Sequence, residues 1–298
     1  MRLKDLLKSR LEPKELEKVP TSFDIIGSKE KAVAILELQP EVEKKGKIIA
    51  EALMQLHRNV KTVLQKLSER HGTFRLKEYR LLAGDPNTEV LHREHGFLLK
   101  LDPKKAYYSP RESTERQRVA RQVKPGERVL VMFSGICPYP IAIAKRQPEV
   151  KIYAVELNPD AHRYAEENIR INGLQEKITA LQGDVREICP RLGRFDRIIM
   201  PLAKDAWKYL DLAFSCCKSG GIVHFYSVAP EEDLWSEAEK KARDVAKKLG
   251  LRISIMNRKR VLPWGSRKWK ICLDIRVDRG QAAEGEKLSR NTRPERLQ

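Results

Sequence analysis

The 298-residue chain is long enough for two domains of about 100–200 residues each, and its 41% hydrophobic content suits a globular protein. No apolar run approaches the ~20 residues of a membrane span, and the charged start Met1-Arg2-Leu3-Lys4-Asp5-Leu6 lacks the apolar core of a signal peptide. The 59 Lys+Arg against 41 Asp+Glu leave a net charge of +18, which points to a polyphosphate partner, nucleic acid ahead of an acidic membrane surface. No membrane association is expected, and the cytoplasm is the expected location.

Residues 1–20 read as a helical extension: LKDLLKSRL, then Glu12-Pro13 and a second helix ending near Pro20. Residues 21–105 read as a small α+β domain. Its parts are two strands within 23–38 around a turn at Gly27-Ser28, and a helix over 41–57 with Ile48, Ile49, Leu53 and Leu56 on one face. The strand VKTVLQKL and the hairpin EVLHREHGFLLKLD complete it, and the stretch from Arg58 to Arg80 is strongly basic.

Residues 106–278 alternate differently. A helix, STERQRVARQV, precedes the strand–turn–helix run RVLVMFSGICPYPIAIAKRQ. The strands KIYAVELN, ITALQGD, FDRIIMPL and GGIVHFYSV follow, with helices at PDAHRYAEENIRINGL, 204–218 and EEDLWSEAEKKARDVAKKLG. LRISIMNRKRVL and KWKICLDIRV close the domain as an antiparallel edge. Strands alternating with helices predict an α/β fold with a doubly wound, Rossmann-like parallel sheet. Residues 279–298 are polar, lack a hydrophobic period and read as a disordered tail. Cys137, Cys189, Cys216, Cys217 and Cys272 form no CxxC pair and have no His at zinc-finger spacing, so reduced, buried thiols and no metal site are expected.

In a doubly wound sheet, ligands bind outside the carboxyl ends of the strands. Gly135 follows the first strand in Phe133-Ser134-Gly135-Ile136-Cys137-Pro138 and lets the backbone approach a ligand; it equally suits a plain turn. Glu156 ends the second strand, where a carboxylate can accept both hydroxyls of a ribose or simply neighbour a helix cap. Asp184, in Gly183-Asp184-Val185 after the third strand, can accept an adenine amino group or form a turn. All three at successive strand ends, without a G-x-x-x-x-G-K-[ST] loop, favour an adenosine ligand lacking a diphosphate.

Tyr107-Tyr108-Ser109-Pro110-Arg111 followed by Ser113-Thr114-Glu115-Arg116 resembles the signature of the archaeal and eukaryotic-type tRNA (guanine-37-N1)-methyltransferase family. So do Ser22-Phe23-Asp24-Ile25-Ile26-Gly27, Gly72-Thr73-Phe74-Arg75, Val155-Glu156-Leu157-Asn158-Pro159, Gly183-Asp184-Val185-Arg186-Glu187 and Gly221-Ile222-Val223-His224-Phe225-Tyr226; the likeness spans roughly residues 20–277. It implies a class I S-adenosylmethionine-dependent methyltransferase domain behind an α+β RNA-binding domain. The implied partner is tRNA, at the anticodon stem-loop, and the expected state is a monomer.

Guanine N1 must lose its proton before it attacks a sulfonium methyl. By resemblance Glu115 is the general base and Arg75 the cation at guanine O6. Tyr107, Arg111 and Arg116 would shape the cofactor and active site. Phe133, Gly135, Pro138, Glu156, Leu157, Asp184, Val185 and Pro201 would line the cofactor. A sister family transfers an aminocarboxypropyl group from the same cofactor; Arg111, Thr114 and Pro138 follow the methyltransferase pattern instead.

Four departures stand out. Val131 replaces an acidic residue, Cys137 a glycine and Pro201 a base-orienting asparagine, and Leu262-Pro263-Trp264-Gly265 stands where "YAP" is usual. These raise a further alternative, a catalytically weak tRNA-binding homologue. About 20 residues precede Ser22, so the family's additional N-terminal domain is expected to be absent. Affinity would then rest on Arg58, Lys61, Lys66, Arg70, Lys77 and Arg80, with Arg258-Lys259-Arg260 and Arg267-Lys268-Trp269-Lys270 as a second basic-aromatic candidate.

Overall fold

The computed structural model describes residues 2–68, 72, 74 and 76–280. Contacts divide the chain into two compact units: Met1–Gln122 with Ser134–Arg146 and Glu156–Gln182, and Val123–Phe133 with Gln147–Val155 and Gly183–Gln298.

The N-terminal helices are α1 (Leu3–Leu7) and α2 (Pro13–Lys18). Then come β1 (Asp24–Gly27), β2 (Ala32–Leu36), α3 (Gly46–Leu56, entered through a 3-10 turn), β3 (Val60–Lys66) and β4 (Tyr79–Gly84). The four strands form a sheet in chain order, with β2 and β3 parallel and the other pairs antiparallel. A parallel pair needs a crossover, and α3 supplies it. Its Ile49 and Leu53 face the sheet, and Leu3 and Leu7 of α1 join the same core. β4 is a strand that the sequence pattern does not announce: exposed and intermediate positions dominate it, so hydrophobic alternation is weak.

β5 (Val90–Glu94) and β6 (Phe97–Leu101) form the expected hairpin. His95 and Gly96 both take positive φ, as a two-residue primed turn requires. α4 (Ser113–Ala120) follows.

The large sheet is built from β7 (Arg128–Met132), β8 (Lys151–Glu156), β9 (Ile178–Gln182), β10 (Phe195–Met200), β11 (Cys217–Pro230), β12 (Leu251–Gly265) and β13 (Lys268–Arg279). Between them run α5 (Pro138–Arg146), α6 (Pro159–Ile171), α7 (Val185–Ile188), α8 (Leu210–Cys216) and α9 (Ser236–Lys248). The strand order is β12-β13-β11-β10-β7-β8-β9, the doubly wound sheet that the sequence predicts, with the expected antiparallel edge. β7 and β10 are almost continuously buried, as central parallel strands are.

Several helices, α3, α4 and α6 among them, are shorter than the sequence suggests. α9 starts at Ser236 rather than Glu231; ahead of it the Asp233 carboxylate accepts the N–H groups of Trp235 and Ser236 at 3.1 and 3.0 Å and holds a turn. The helix expected over 204–218 begins as a 3-10 turn and ends at Cys216, where β11 takes over.

Pairing between β10 and β11 ends at Met200–Phe225, yet β11 runs on to Pro230. β13 and β12 accompany it to Lys268 and Gly265. A three-stranded antiparallel ledge therefore extends past the carboxyl end of β10. The expected tail falls largely on residues 281–298, which lie outside the described residues.

Candidate active site

In the first unit the segment Tyr107–Arg116 is tied down by buried carboxylates. Arg116 and Glu94 form a bidentate pair, Nε–Oε1 2.9 Å and Nη2–Oε2 2.5 Å, with side chains 2% and 3% exposed. Nη2 also donates to the Ser109 carbonyl at 3.0 Å, so the fork is occupied within the protein. Burial opposes the Arg116 charge, but Glu94 more than offsets it and the guanidinium stays ionised above its ordinary range. Arg116 thus holds the Ser109–Arg116 turn in shape.

Glu115 is buried on α4, not on a solvated helix face. Both its oxygens accept from Arg118, Nε–Oε2 and Nη2–Oε1 each at 2.8 Å. The fork fixes the plane of the carboxylate. The Tyr107 hydroxyl donates to the buried Glu112 at 3.0 Å. Arg111, half-exposed, donates to Asp24 of β1 at 2.5 Å. Asp24, Tyr79, Tyr107, Tyr108 and Ser109 line one cleft of this unit.

The same unit carries the glycine loop. Gly135 has φ +56°, and a Cβ built there would meet only the Tyr107 carbonyl at 3.6 Å. Its N–H donates to Glu156 Oε2 at 2.7 Å, and the Asn158 N–H donates to Oε1 at 2.8 Å. Burial raises the Glu156 carboxyl, against the lowering effect of the Asn158 and Gly135 N–H groups. Leu157 beside it is 40% exposed, while Pro138 opens α5 at the position where proline is tolerated. Cys137 has φ +66°, the conformation that a glycine would adopt without strain, and burial pushes its thiol up to about 12.

In the second unit Phe133, also at positive φ (+56°), packs edge-on against Tyr209 at 4.9 Å. Asp184 caps α7 by accepting the Arg186 N–H on Oδ1 at 2.8 Å, and no described residue bonds its Oδ2. Val185 is buried behind it. The Pro201 carbonyl accepts from the buried Lys270 Nζ at 3.4 Å, and that ammonium sits 4.9 Å from the Tyr226 ring centre. Val131 is fully buried in β7.

His224, Cys272 and Asp274 also meet in this unit, their ligand atoms within 4.8 Å of one another. Arg197 approaches His224 Nε2 at 2.8 Å and Asp274 lies 2.6 Å from Nδ1. Guanidinium can only donate, so Nε2 is an acceptor and Nδ1 carries the proton that Asp274 receives. Arg197 is held in turn by Glu127 at 2.7 and 2.9 Å. A metal ion would have to displace that guanidinium. All five cysteines are free and buried.

Arg75 and Arg70 lie outside the described residues. Of the other expected RNA contacts, Lys66 and Arg80 are already engaged by Glu37 and Glu43, at 3.2 and 2.7 Å. The sequence alone gives no role to the carboxylates Glu94, Glu112 and Asp24, or to Arg118 beside Glu115. Only the i,i+3 spacing of Glu115 and Arg118 was a local signal.

Residues 90–254 match the family model described as the TRM5/TYW2 methyltransferase domain, and residues 3–88 match the TYW2 N-terminal domain. The chain is 40% identical over 266 residues to the tRNA (guanine(37)-N(1))-methyltransferase Trm5b of Pyrococcus abyssi, covering 89% of this chain and 78% of that one. A solved complex of aTrm5 and tRNALeu superposes with a TM-score of 0.79 at 30% identity, covering 94% of this chain and 78% of that chain. A structure of Pyrococcus horikoshii TYW2 in complex with MeSAdo gives 0.78 at 29% identity, covering 93% and 98%.

Proposed function

Because the chain belongs to the TRM5/TYW2 methyltransferase family, we propose that it is a tRNA (guanine-37-N1)-methyltransferase that moves the methyl group of S-adenosylmethionine to N1 of guanine 37. The observation that carries this reading is the 40% identity to Trm5b over 89% of the chain. The location expected for such an enzyme is the cytoplasm and the expected state a monomer.

The residues at the strand ends suit an adenosine-type cofactor. Each oxygen of Glu156 accepts one backbone N–H, which orients the carboxylate and leaves its other lone pairs for the two ribose hydroxyls. Asp184 Oδ2 is available to the adenine amino group, Leu157 offers apolar surface, and Gly135 gives open backbone. When bound, S-adenosylmethionine supplies an electrophilic methyl on a sulfonium.

Glu115 takes the N1 proton as the base attacks, and Arg118 fixes the carboxylate's orientation. Arg75 contributes the cation at O6. Tyr107 and Arg111, held by Glu112 and Asp24, shape the pocket around the base. The Pro201 carbonyl has a lone pair beyond the one that Lys270 uses, and it replaces the asparagine side chain as acceptor for the base.

A second reading, aminocarboxypropyl transfer, is favoured by the TYW2-type match of residues 3–88. A third, a tRNA-binding homologue of little activity, draws on Val131, Cys137 and Pro201. One assay separates them: purified protein, tRNA, and cofactor labelled in the methyl or in the amino-acid carbons. Methyl label at guanine 37 is expected. Amino-acid label would replace the first reading with the second, and bound but unlabelled tRNA would support the third.

A further inference from the structure

The ledge formed by β11, β13 and β12 beyond Met200 carries charge that its own surroundings do not neutralise. Five residues of β11, Tyr226–Pro230, continue past the last β10 pairing, an overhang of about 17 Å at ~3.3 Å per residue. Residues 257–272 contain six Lys or Arg and no Asp or Glu. Arg258 is paired with Glu239 and Arg267 with Glu232, and Lys270 is buried. Among the described residues no carboxylate engages Lys259, Arg260 or Lys268.

Register decides where these charges point. Lys259 is opposite Cys272, so it shares a sheet face with Cys272, Lys270 and Lys268, which alternate along β13. On this same face Lys270 reaches the Pro201 carbonyl just after β10, a strand end. Arg260, opposite Ile271, lies on the other face and stacks 4.3 Å from the centre of the Trp269 ring.

An edge strand often carries lysine only to discourage edge-to-edge pairing. That purpose concerns charges on the edge strand itself. It does not call for Lys268 on the inner strand β13, or for an Arg–Trp stack. We infer that the ledge is a binding surface for single-stranded or loop RNA. Lys259 and Lys268 hold backbone phosphates of nucleotides flanking the reacting base, and the Arg260–Trp269 stack forms a rim on which a flanking base or phosphate rests. The inference builds on tRNA being the substrate.

The test is RNA binding as a function of salt, using a full-length unmodified tRNA transcript and its isolated anticodon stem-loop. The K259A/K268A variant should bind both RNAs about tenfold more weakly at ~0.1 M salt. The slope of log K against log salt should fall by about 1.4–1.8, reflecting two lost phosphate contacts. R260A should weaken binding with a smaller change in slope. The charge-reversed K259E/K268E variant should exaggerate the loss, and S-adenosylmethionine affinity serves as the check on folding. Wild-type affinity and slope in all variants would overturn the inference, as would a loss seen with full-length tRNA but not with the stem-loop. If the wild-type protein binds neither RNA, the functional reading itself falls, a result distinct from variants that bind like wild type.

Discussion

The Arg116 guanidinium lies in a bidentate pair with Glu94, 22 residues upstream, and both side chains are almost wholly removed from solvent. The pair joins the β5–β6 hairpin to the segment that carries Tyr107, Arg111 and Glu115. Removing one partner strands the other as a buried, uncompensated charge. Glu94→Ala and Arg116→Ala should each cost roughly 3–5 kcal/mol of stability in denaturant unfolding. Replacing both residues with apolar side chains of similar volume should cost less than either single change. A double replacement as damaging as the two singles added together would show that the pair is not the unit that matters.

Glu115 is poised differently, since Arg118 donates to both of its oxygens and fixes the plane of the carboxylate. Glu115→Gln should lower single-turnover methyl transfer by about 10²–10⁴-fold with little change in cofactor affinity. Arg118→Ala should slow the same step less, because it loosens the carboxylate without removing it. Full activity in Glu115→Gln would dismiss it as the base.

The Glu156 carboxyl is raised by burial and must be ionised to accept two ribose hydroxyls well. Cofactor affinity should therefore decline as pH falls through its raised pKa, beginning at a higher pH than an ordinary glutamate would give. Glu156→Gln should weaken S-adenosylmethionine binding by about 10–100-fold, the worth of charged hydrogen bonds, and should remove that pH dependence. Calorimetric titration across the acid range reads both.

Burial raises the thiols of Cys137, Cys189 and Cys217, each to about 12. For an acid whose folded pKa lies above its unfolded value near 9.0, the unfolded state releases the proton first. These thiols should thus contribute stability below pH 9 that is lost progressively as pH rises from about 9 towards 12. Urea midpoints measured at pH 8 and pH 10 test this against a variant with the three thiols replaced by alanine, whose midpoint should fall less. Native protein at pH 8 should also resist alkylation at these positions, whereas urea-unfolded protein should not.

The parallel strands were legible because buried strands read as apolar runs, as in RVLVM and FDRIIM. The strand ends were legible because a glycine or a carboxylate there interrupts such a run. The roles of Glu94 and Asp24 leave no mark in the sequence because an ion pair leaves no periodic trace; Asp24 and Arg111 are 87 residues apart. β4 and α7 were missed because one is a largely exposed edge and the other is only four residues long. Cys137 is instructive: its missing glycine could be read from the sequence. That its backbone still adopts φ +66°, at a cost of ~1–2 kcal/mol, could not.

The first compact unit is assembled from three separated stretches of chain, and its hairpin shows what this entails during synthesis. The backbone of Leu98 and Lys100 on β6 is clamped by the side chains of Asn172 and Asn168, some 70 residues later. Chains emerge from the ribosome N-terminus first at ~5–20 residues per second. β6 therefore waits several seconds for the side chains of Asn168 and Asn172 that clamp it. A fragment cut at residue 105 or 122 would carry the small sheet but leave β6 with exposed, unclamped amides. The unit is better isolated by circular permutation or limited proteolysis of the finished protein than by truncating the gene.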